Sequence, residues 1–252
     1  MSTVRIDFNC DLGEGCGDDG RIVPCISSAS IACGGHAGDE TTMRIAVERC
    51  RRQGVAVGAH PSFVDRDHFG RRELAMEPAA IRLLVTAQTR RLQAVCDQAG
   101  VRLHHVKPHG ALYNLAARDR RVAEAVVEAV WSLDRDLYLY TLAGSQLVAA
   151  ARERGLKVAE EVFAERGYRA DGSLVPRGEP GAVLETVEEA LAQVRTMLRE
   201  GCVVATDGSR VQIRADTLCL HGDREDAAAF ATALRAALEA GGVRIAAPGA
   251  TA

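Results

Sequence analysis

Hydrophobic and polar positions alternate near the start of this chain with the period of a β-strand. Apolar Ile6 and Phe8 point to one side, whereas polar Asp7, Asn9 and Asp11 point to the other. An alternation of period two predicts a strand. If the strand belongs to a barrel, its polar face lines the interior near the mouth.

Later segments repeat a strand followed by a helix. Helical stretches carry apolar residues three or four positions apart, as at Met43, Ala46, Val47 and Cys50. Short apolar runs predict further strands at 27–33, 55–58, 101–105, 136–142, 157–163 and 217–220, with a short edge segment at 203–206. Helices are predicted up to 53, over 78–99, from near 120, and over 146–154, 180–200 and 226–239.

Glycines mark the change from helix to strand, at Gly54, Gly100, Gly155, Gly201 and Gly242. A glycine just past a helix, followed by an apolar run, is the usual helix-to-strand connection. Strands that alternate with helices along the whole chain indicate one parallel sheet with right-handed crossovers. Seven or so units in 252 residues predict an α/β fold, a closed or nearly closed (β/α) barrel that takes up residues 1–252 as one domain.

Composition adds limits on the class of protein. The formal net charge is −3, so the chain has no basic footprint for nucleic acid. No signal pattern opens the chain, and no apolar run approaches the roughly 20 residues that span a bilayer. The eight cysteines include no CxxC pair, and we expect reduced thiols in a cytoplasmic protein. Cys50 and Cys96 fall on apolar helical positions, and Cys33 is expected to be a buried thiol.

The most informative stretch is 106–114, which follows a predicted strand and precedes the helix expected near Arg120. Pro108 and Gly110 are expected to fix a non-helical backbone there. Ligands bind at such junctions in proteins built from alternating strands and helices. The stretch carries four polar side chains of chemical interest: Lys107, His109, Tyr113 and Asn114.

Other predicted strand ends carry side chains of the same kind. His36, His60 and His221 each follow a strand, so with His109 four of the seven histidines lie at four different strand ends. Asp39 has two readings of equal weight, as a helix cap and as a site residue, and Asp223 also suits a helix cap. The polar set expected at one mouth is Asp7, Asn9, Asp11, His36, His60, Lys107, His109, Glu161 and His221.

The longest irregular segment is 167–177, within an insertion at about 165–180. Its Asp171-Gly172 pair predicts a tight turn and a small hairpin. Such long connections are usually functional or disordered, and we expect a mobile lid or a docking surface for a partner. Arg71 and Arg177 are candidates for binding an anionic group.

Several motifs in order make the chain resemble the LamB/YcsF family over nearly its whole length. They are NCDLGE at 9–14, IACG and HAGD within 31–39, GAHP at 58–61, FGRR at 69–72, VKPHGALYN at 106–114, DG with LVPR within 171–177, and HGD at 221–223. Two positions depart from the pattern: Gly35 stands where a bulkier aromatic is usual, and His68 where a glycine is usual.

This resemblance implies a distorted seven-stranded (β/α) barrel, TIM-like and similar to the polysaccharide deacetylase or glycoside hydrolase type. It also implies a hydrolase, a 5-oxoprolinase that uses ATP to open 5-oxoproline to L-glutamate with partner subunits B and C. ATP would act as co-substrate, with Mg²⁺ and without an organic cofactor. The chain has no GxxxxGK[ST] phosphate loop, which fits partners that supply part of the ATP handling.

Roles follow from residue types. Asp11 is the first choice for activating water, Lys107 for stabilising developing negative charge, and His36, His60 and His109 for moving protons or orienting the substrate. The remaining candidates are expected to bind substrate: Asn9, Asp39, Arg71, Tyr113, Asn114, Glu161, Arg177, His221 and Asp223.

Two other functions stay open at this point. In a metal-dependent hydrolase similar to deacetylases, Asp11, His36, His60 and His109 would hold a divalent ion. The spacing of these residues in the sequence neither establishes nor excludes such a site. In a non-enzymatic subunit, the same mouth would bind a small acid without turning it over.

Overall fold

The computed structural model describes residues 4–16, 18–220 and 226–250. The strands in these ranges are β1 (Arg5–Leu12), β2 (Ser28–Ala32), β3 (Ala56–His60), β4 (Leu103–Val106), β5 (Tyr138–Leu142), β6 (Lys157–Phe163), β7 (Cys202–Val204), β8 (Arg210–Gln212), β9 (Thr217–Leu220) and β10 (Arg244–Ile245). The α-helices are α1 (Asp19–Ile22), α2 (Glu40–Gln53), α3 (Pro78–Ala99), α4 (Gly110–Arg118), α5 (Arg120–Leu133), α6 (Gln146–Arg154), α7 (Val187–Glu200) and α8 (Ala227–Ala240).

A closed parallel barrel organises these elements. In the described ranges, seven strands run in the order β1-β2-β3-β4-β5-β6-β9, and β9 pairs with β1 to close the ring. Every pairing in the ring is parallel. The short β10 pairs in parallel with the first two residues of β1. The prediction of a distorted seven-stranded (β/α) barrel is confirmed.

The helices begin and end where the sequence places their signals. Asp39 and Thr42 form a reciprocal capping box at the start of α2, and left-handed Gly54 ends it. Pro78 is the first residue of α3, and Gly100 ends it in the same left-handed conformation. The predicted apolar stripe of α2 is buried against the barrel.

Two element predictions were wrong, and a third element belongs to a sheet separate from the barrel. The segment after Pro108 is not an irregular junction, because α4 begins at Gly110 and therefore contains Tyr113 and Asn114. Helix α7 begins at Val187 rather than near 180, because Thr186 caps it together with Glu189. The segment predicted at 203–206 is β7, which pairs with β8 in a separate antiparallel hairpin outside the barrel. The predicted cap at Asp223 lies outside the described residues.

Apolar packing lies between the barrel and its helices, and the barrel interior is polar. Phe8 and Cys10 of β1 are buried in the outer core. Asp7 points inward and accepts hydrogen bonds from Ser27, Ser28 and Thr217 at 2.6–2.7 Å. Burial raises the pKa of Asp7, although these hydroxyl donors oppose the shift. Among the described helices, none is long and apolar enough to cross a membrane.

A glycine makes room for one buried aromatic stack in the barrel. A Cβ atom on Gly58 of β3 would overlap the His105 ring. That ring stacks on Tyr140 with 3.9 Å between centroids, and one of its nitrogens lies 3.2 Å from the Ser30 hydroxyl. The absence of a side chain at Gly58 therefore sets the position of His105.

We expect Gly58→Ala to lower the free energy of unfolding by about 1–3 kcal/mol, because the added methyl group overpacks the interior. His105→Ala should also destabilise the protein, since it leaves a cavity beside Tyr140. Urea denaturation of both single variants and the double variant measures the coupling. The free energy of unfolding lost in the double variant should be smaller, by about 0.5 kcal/mol or more, than the sum of the losses in the two single variants. Strict additivity would contradict this account.

Candidate active site

The carboxyl ends of the barrel strands open into one cavity of about 970 Å³. Its floor and wall include Asp11, His60, Lys107 and His109, which come from the ends of three strands. The sequence predicted that these four side chains share one mouth, and the structure brings them together. Helix α4 and the hairpin of 167–177 form much of the opposite wall.

Lys107 lies at the base of this cavity and is almost fully buried. Its ammonium is 2.7 Å from Asp11 Oδ1 and donates hydrogen bonds to Glu161 Oε1 at 2.9 Å and Asn9 Oδ1 at 3.0 Å. It also lies 3.3 Å from the sulfur of Cys219. Burial alone would lower the pKa of Lys107, but the neighbouring anionic groups, Asp11 foremost, raise it well above its usual value. The lysine therefore stays charged.

Glu161 supports Lys107 from below. It has no exposed surface, and it accepts hydrogen bonds from Asn9 at 3.0 Å and from the Tyr113 hydroxyl at 2.7 Å. Burial and the negative charge of Glu161 raise the pKa of Tyr113 well above its usual value, so the phenol keeps its proton. Neither Glu161 nor Asn9 lines the cavity. Their place in the structure is to hold Lys107.

Three histidine rings pack beside the lysine. His36 stacks on His109 with 3.6 Å between centroids and 5° between planes, and His60 meets His109 edge-on. His60 Nδ1 lies 2.8 Å from the carbonyl oxygen of Lys107, and His109 Nε2 lies 2.9 Å from that of Phe69. The opposite nitrogens, His60 Nε2 and His109 Nδ1, face each other at 2.9 Å.

Burial keeps two of these rings neutral. It lowers the pKa of His36 to about 4 and that of His109 well below its usual value. Neighbouring His60 and His36 add to the effect on His109. At neutral pH both rings are therefore uncharged and offer nitrogen lone pairs.

Glu14 is a site residue that the sequence analysis did not identify. Its carboxylate Oε1 lies 2.9 Å from His36 Nε2 and 3.4 Å from His109 Nδ1. Glu14 belongs to the NCDLGE motif, but the glycine-rich loop around it gave no periodic signal for its direction. One potential ligand atom from each of four side chains lies within 4.8 Å of all the others, so these side chains could hold a metal ion: Glu14, His36, His60 and His109.

The loop after β3 covers the histidines and depends on an unusual backbone. Phe69 is the one non-glycine residue with positive φ, at 54°, in the described parts of the chain. Gly70 follows with φ 64°, and a Cβ there would lie 2.8 Å from that of His36. This backbone aims the Phe69 carbonyl at His109. Phe69 and Gly70 were quoted as part of a motif, but their role was not predicted.

Of the other predicted substrate-binding residues, Arg71, Tyr113, Asn114 and Arg177 line the cavity. Asp39 is exposed and caps α2, so of its two predicted roles the structure shows the helix cap. His221 and Asp223 lie outside the described residues. Burial raises the pKa of Cys33 to about 12, which fits the expected buried thiol.

The two departures from the family pattern have different settings. A side chain on Gly35 would overlap the hydroxyl of Ser62 and lie 2.7 Å from the amide oxygen of Gln88. A larger residue there would therefore need these neighbours to move. His68 is half exposed, and its Nδ1 lies 2.8 Å from Asp65.

The hairpin of 167–177 is firmly based and carries cationic side chains. Buried Arg166 donates to the carbonyl oxygens of Val175 at 2.6 Å and Ala182 at 2.9 Å. Buried Tyr168 pairs with Leu174 across the hairpin. The exposed tip lies above the cavity. Five arginines line the cavity: Arg71, Arg118, Arg166, Arg169 and Arg177.

This arrangement is suited to a small anionic substrate. Arginines such as Arg71 and Arg177 provide positive charge at the rim, and at the floor the charge of Lys107 is paired with Asp11 and Glu161. Asp11 Oδ2 lies 3.3 Å from His60 Nε2, so a carboxylate and an imidazole are placed for proton transfer.

Comparison with known proteins gives a consistent result. The model of the LamB/YcsF family matches residues 6–252. A protein of Chloroflexus aggregans (strain MD-66 / DSM 9485), named as the A subunit of 5-oxoprolinase, is 52% identical over 250 residues, which cover 97% of this chain and 99% of that protein.

One solved structure resembles nearly the whole chain. The crystal structure of a lactam utilization protein from Thermus thermophilus has a TM-score of 0.91 and 44% identity, and it covers 97% of this chain and 100% of that one. A family 4 carbohydrate esterase from Streptomyces lividans covers 97% of this chain and 93% of that one, with 10% identity and a TM-score of 0.45. That likeness is too weak to bear on function.

We expect Lys107→Met to lower the free energy of unfolding by about 3–5 kcal/mol, because Asp11 and Glu161 lose their buried cation. Adding Glu161→Gln should recover part of the loss, since it removes one of the two charges. Lys157→Met is the matched control: Lys157 is about half exposed and pairs with Asp136 on the surface, and its loss should cost at most about 1 kcal/mol. Urea denaturation measures all four proteins. Equal losses at Lys107 and Lys157 would contradict the buried ion pair.

Proposed function

This chain belongs to the LamB/YcsF family, and we propose that it is the A subunit of an ATP-dependent 5-oxoprolinase. The reaction opens 5-oxo-L-proline to L-glutamate, coupled to ATP hydrolysis. Support comes from the two relatives named for 5-oxoprolinase and for lactam utilization. The observation that carries the proposal is Lys107, charged and buried beside Asp11 at the floor of a cavity lined with arginines.

ATP is required because a lactam carbonyl is a poor electrophile. Transfer of the γ-phosphoryl group to the carbonyl oxygen makes the carbon susceptible to water. Water then adds to this carbon, the ring C–N bond breaks as nitrogen gains a proton, and hydrolysis of the acyl phosphate releases glutamate and phosphate. The chain must supply a base, a proton path and a cation for the oxygen.

Each requirement has a candidate in the cavity. Asp11 takes a proton from water, because its Oδ1 is held by Lys107 while its Oδ2 faces His60 at 3.3 Å. His60 and its neighbour His109 pass that proton to the leaving nitrogen. Lys107 stabilises the negative charge that develops on the oxygen. His36, stacked on His109, fixes the orientation of that ring.

The carboxylate of 5-oxoproline requires a cation as well, and Arg71 and Arg177 line the cavity rim. Tyr113 and Asn114 on α4 line the wall and orient the ring. ATP with Mg²⁺ acts as co-substrate, and subunits B and C contribute its binding, since this chain lacks the GxxxxGK[ST] loop.

A metal-dependent hydrolase is the second candidate, favoured by the convergence of Glu14, His36, His60 and His109. It would act on an amide without ATP. Omitting ATP from the assay described next therefore separates the two candidates.

We expect the isolated chain to show little turnover of 5-oxoproline with ATP, and the mixture with subunits B and C to form glutamate. Asp11→Asn and His109→Ala should each reduce glutamate formation in the mixture by about 100-fold or more, because each removes a proton-transfer group. Asp97→Asn is the matched control, since Asp97 is exposed near the end of α3, away from the cavity. Circular dichroism checks that each variant is folded.

Full activity of the isolated chain, or near-normal rates in both site variants, would contradict the proposal. Glutamate formation without ATP would favour the metal-dependent hydrolase. Substrate binding without turnover in the complete mixture would favour a non-catalytic role for this chain.

We also expect the tip of the hairpin, Arg169 to Ser173, to act as a lid. Its side chains line the cavity, whereas Tyr168 and Val175 at its base are buried. Closure excludes bulk water, which would otherwise attack the phosphorus of the activated lactam and release phosphate without opening the ring. Hydrogen exchange at the tip should slow when 5-oxoproline, ATP and subunits B and C are added. The exposed turn near Asp134 and Asp136 is the control and should not change. If exchange at the tip is already slow in the free chain and does not change on assembly, the lid hypothesis is wrong and the hairpin has a structural role.

A further inference from the structure

Two ring nitrogens in the cavity are placed where their lone pairs oppose each other. The Lys107 carbonyl can only accept, so His60 carries its proton on Nδ1. The Phe69 carbonyl likewise places the proton of His109 on Nε2. The nitrogens left facing each other, His60 Nε2 and His109 Nδ1, are 2.9 Å apart, and neither has a hydrogen to donate. Such a contact between buried acceptors requires a positive species between or beside them.

A carboxylate and a third ring converge on the same point. Glu14 Oε1 lies 2.9 Å from His36 Nε2, 3.4 Å from His109 Nδ1 and 3.9 Å from His60 Nε2. One donor atom from each of the four residues lies within 4.8 Å of all the others. Four ligands at the usual zinc distances, arranged as a tetrahedron, are separated by about 3.4 Å. Four of the six separations, at 2.9–3.9 Å, scatter around that value, and the widest is no more than 4.8 Å.

We propose that Glu14, His36, His60 and His109 bind one divalent transition-metal ion of the zinc type. Imidazole nitrogens with a carboxylate oxygen are the ligand set that such ions prefer. The carbonyl oxygens of Lys107 and Phe69 are the outer partners that orient two of the rings, as is usual for histidines that bind a metal.

The position also has an entry path and a neighbouring base. Glu14, His60 and His109 line the open cavity, whereas His36 is closed off behind His109. Asp11 Oδ2, 3.3 Å from His60 Nε2, borders the ion position and faces the same space. With the ion bound, no nitrogen of His60 or His109 is free to carry a proton, and Asp11 is the remaining base. Ion binding is measured without turnover, so its test is separate from that of the reaction assigned above.

The three rings differ in how firmly they are held. His60 and His109 each have an outer carbonyl, but His36 Nδ1 is buried without a hydrogen-bond partner among the described residues. A ligand without an outer partner is less well oriented. Loss of His60 or His109 should therefore weaken ion binding more than loss of His36.

Direct metal binding tests the proposal on the full chain. The purified protein is stripped with a chelator and titrated with Zn²⁺ or Co²⁺ alone, with calorimetry and elemental analysis as readouts. We expect one ion per chain and, for Co²⁺, the visible absorption of a tetrahedral site. Loss of an outer partner typically lowers metal affinity by about 10–100-fold. Loss of a ligand itself should lower it further in each of three variants, His60→Ala, His109→Ala and Glu14→Gln.

His68→Ala is the matched control, because His68 is a half-exposed histidine on the loop after β3. It should bind the ion as the unmodified chain does. Glu14→Gln keeps the shape of the side chain, so a folded Glu14→Gln protein remains informative if a histidine variant does not fold.

Two results would overturn the proposal. One is the absence of ion binding by the unmodified chain, with nitrogen NMR showing a proton shared by His60 and His109. The other is equal ion affinity in the unmodified chain, Glu14→Gln and the histidine variants, which would place the ion elsewhere on the surface.

Discussion

A single buried lysine connects the parts of this molecule that matter for its chemistry. The Lys107 ammonium joins Asp11 on β1 to Glu161 on β6, across the interior of the barrel. Its backbone carbonyl holds His60, at the end of β3. Removing one partner of such a buried pair is costly, because a charge is left uncompensated. The lysine thus ties three strands together and sets the direction of the groups around it.

The closed parallel barrel explains why so polar a network can form. Both faces of each strand are covered, one by helices and the other by the opposite strands, so interior side chains such as Asp7, Asn9 and Glu161 are buried. Polar groups in such a place must bond to one another. Asp7 with its three hydroxyl donors and Glu161 with Asn9, Tyr113 and Lys107 do so at successive depths. These hydrogen bonds fix the positions of the side chains below the cavity, so its floor is well ordered.

The sequence predicted the barrel because periodicity and helix-ending glycines are local signals. It predicted Asp11, Lys107, His36, His60 and His109 at the mouth because each lies at or just past the end of a predicted strand. It did not predict α4, since Pro108 and Gly110 resemble a loop, whereas Gly110 is the first residue of the helix. Glu14 was missed for a different reason. Its direction depends on a glycine-rich loop without a periodic pattern, and its contacts with His36 and His109 are seen only in the structure.

Phe69 shows a tension between fold and chemistry. A non-glycine residue held with positive φ costs of order 1–3 kcal/mol, and this conformation directs its carbonyl at His109. Glycine at this position would relieve the strain. It would also widen the range of backbone conformations, so the carbonyl would hold the His109 ring less firmly. At position 69, a gain in stability would therefore come with a less precise orientation of His109. Stabilising this protein by removing its least favourable backbone angle would therefore remove rigidity where the chemistry needs it.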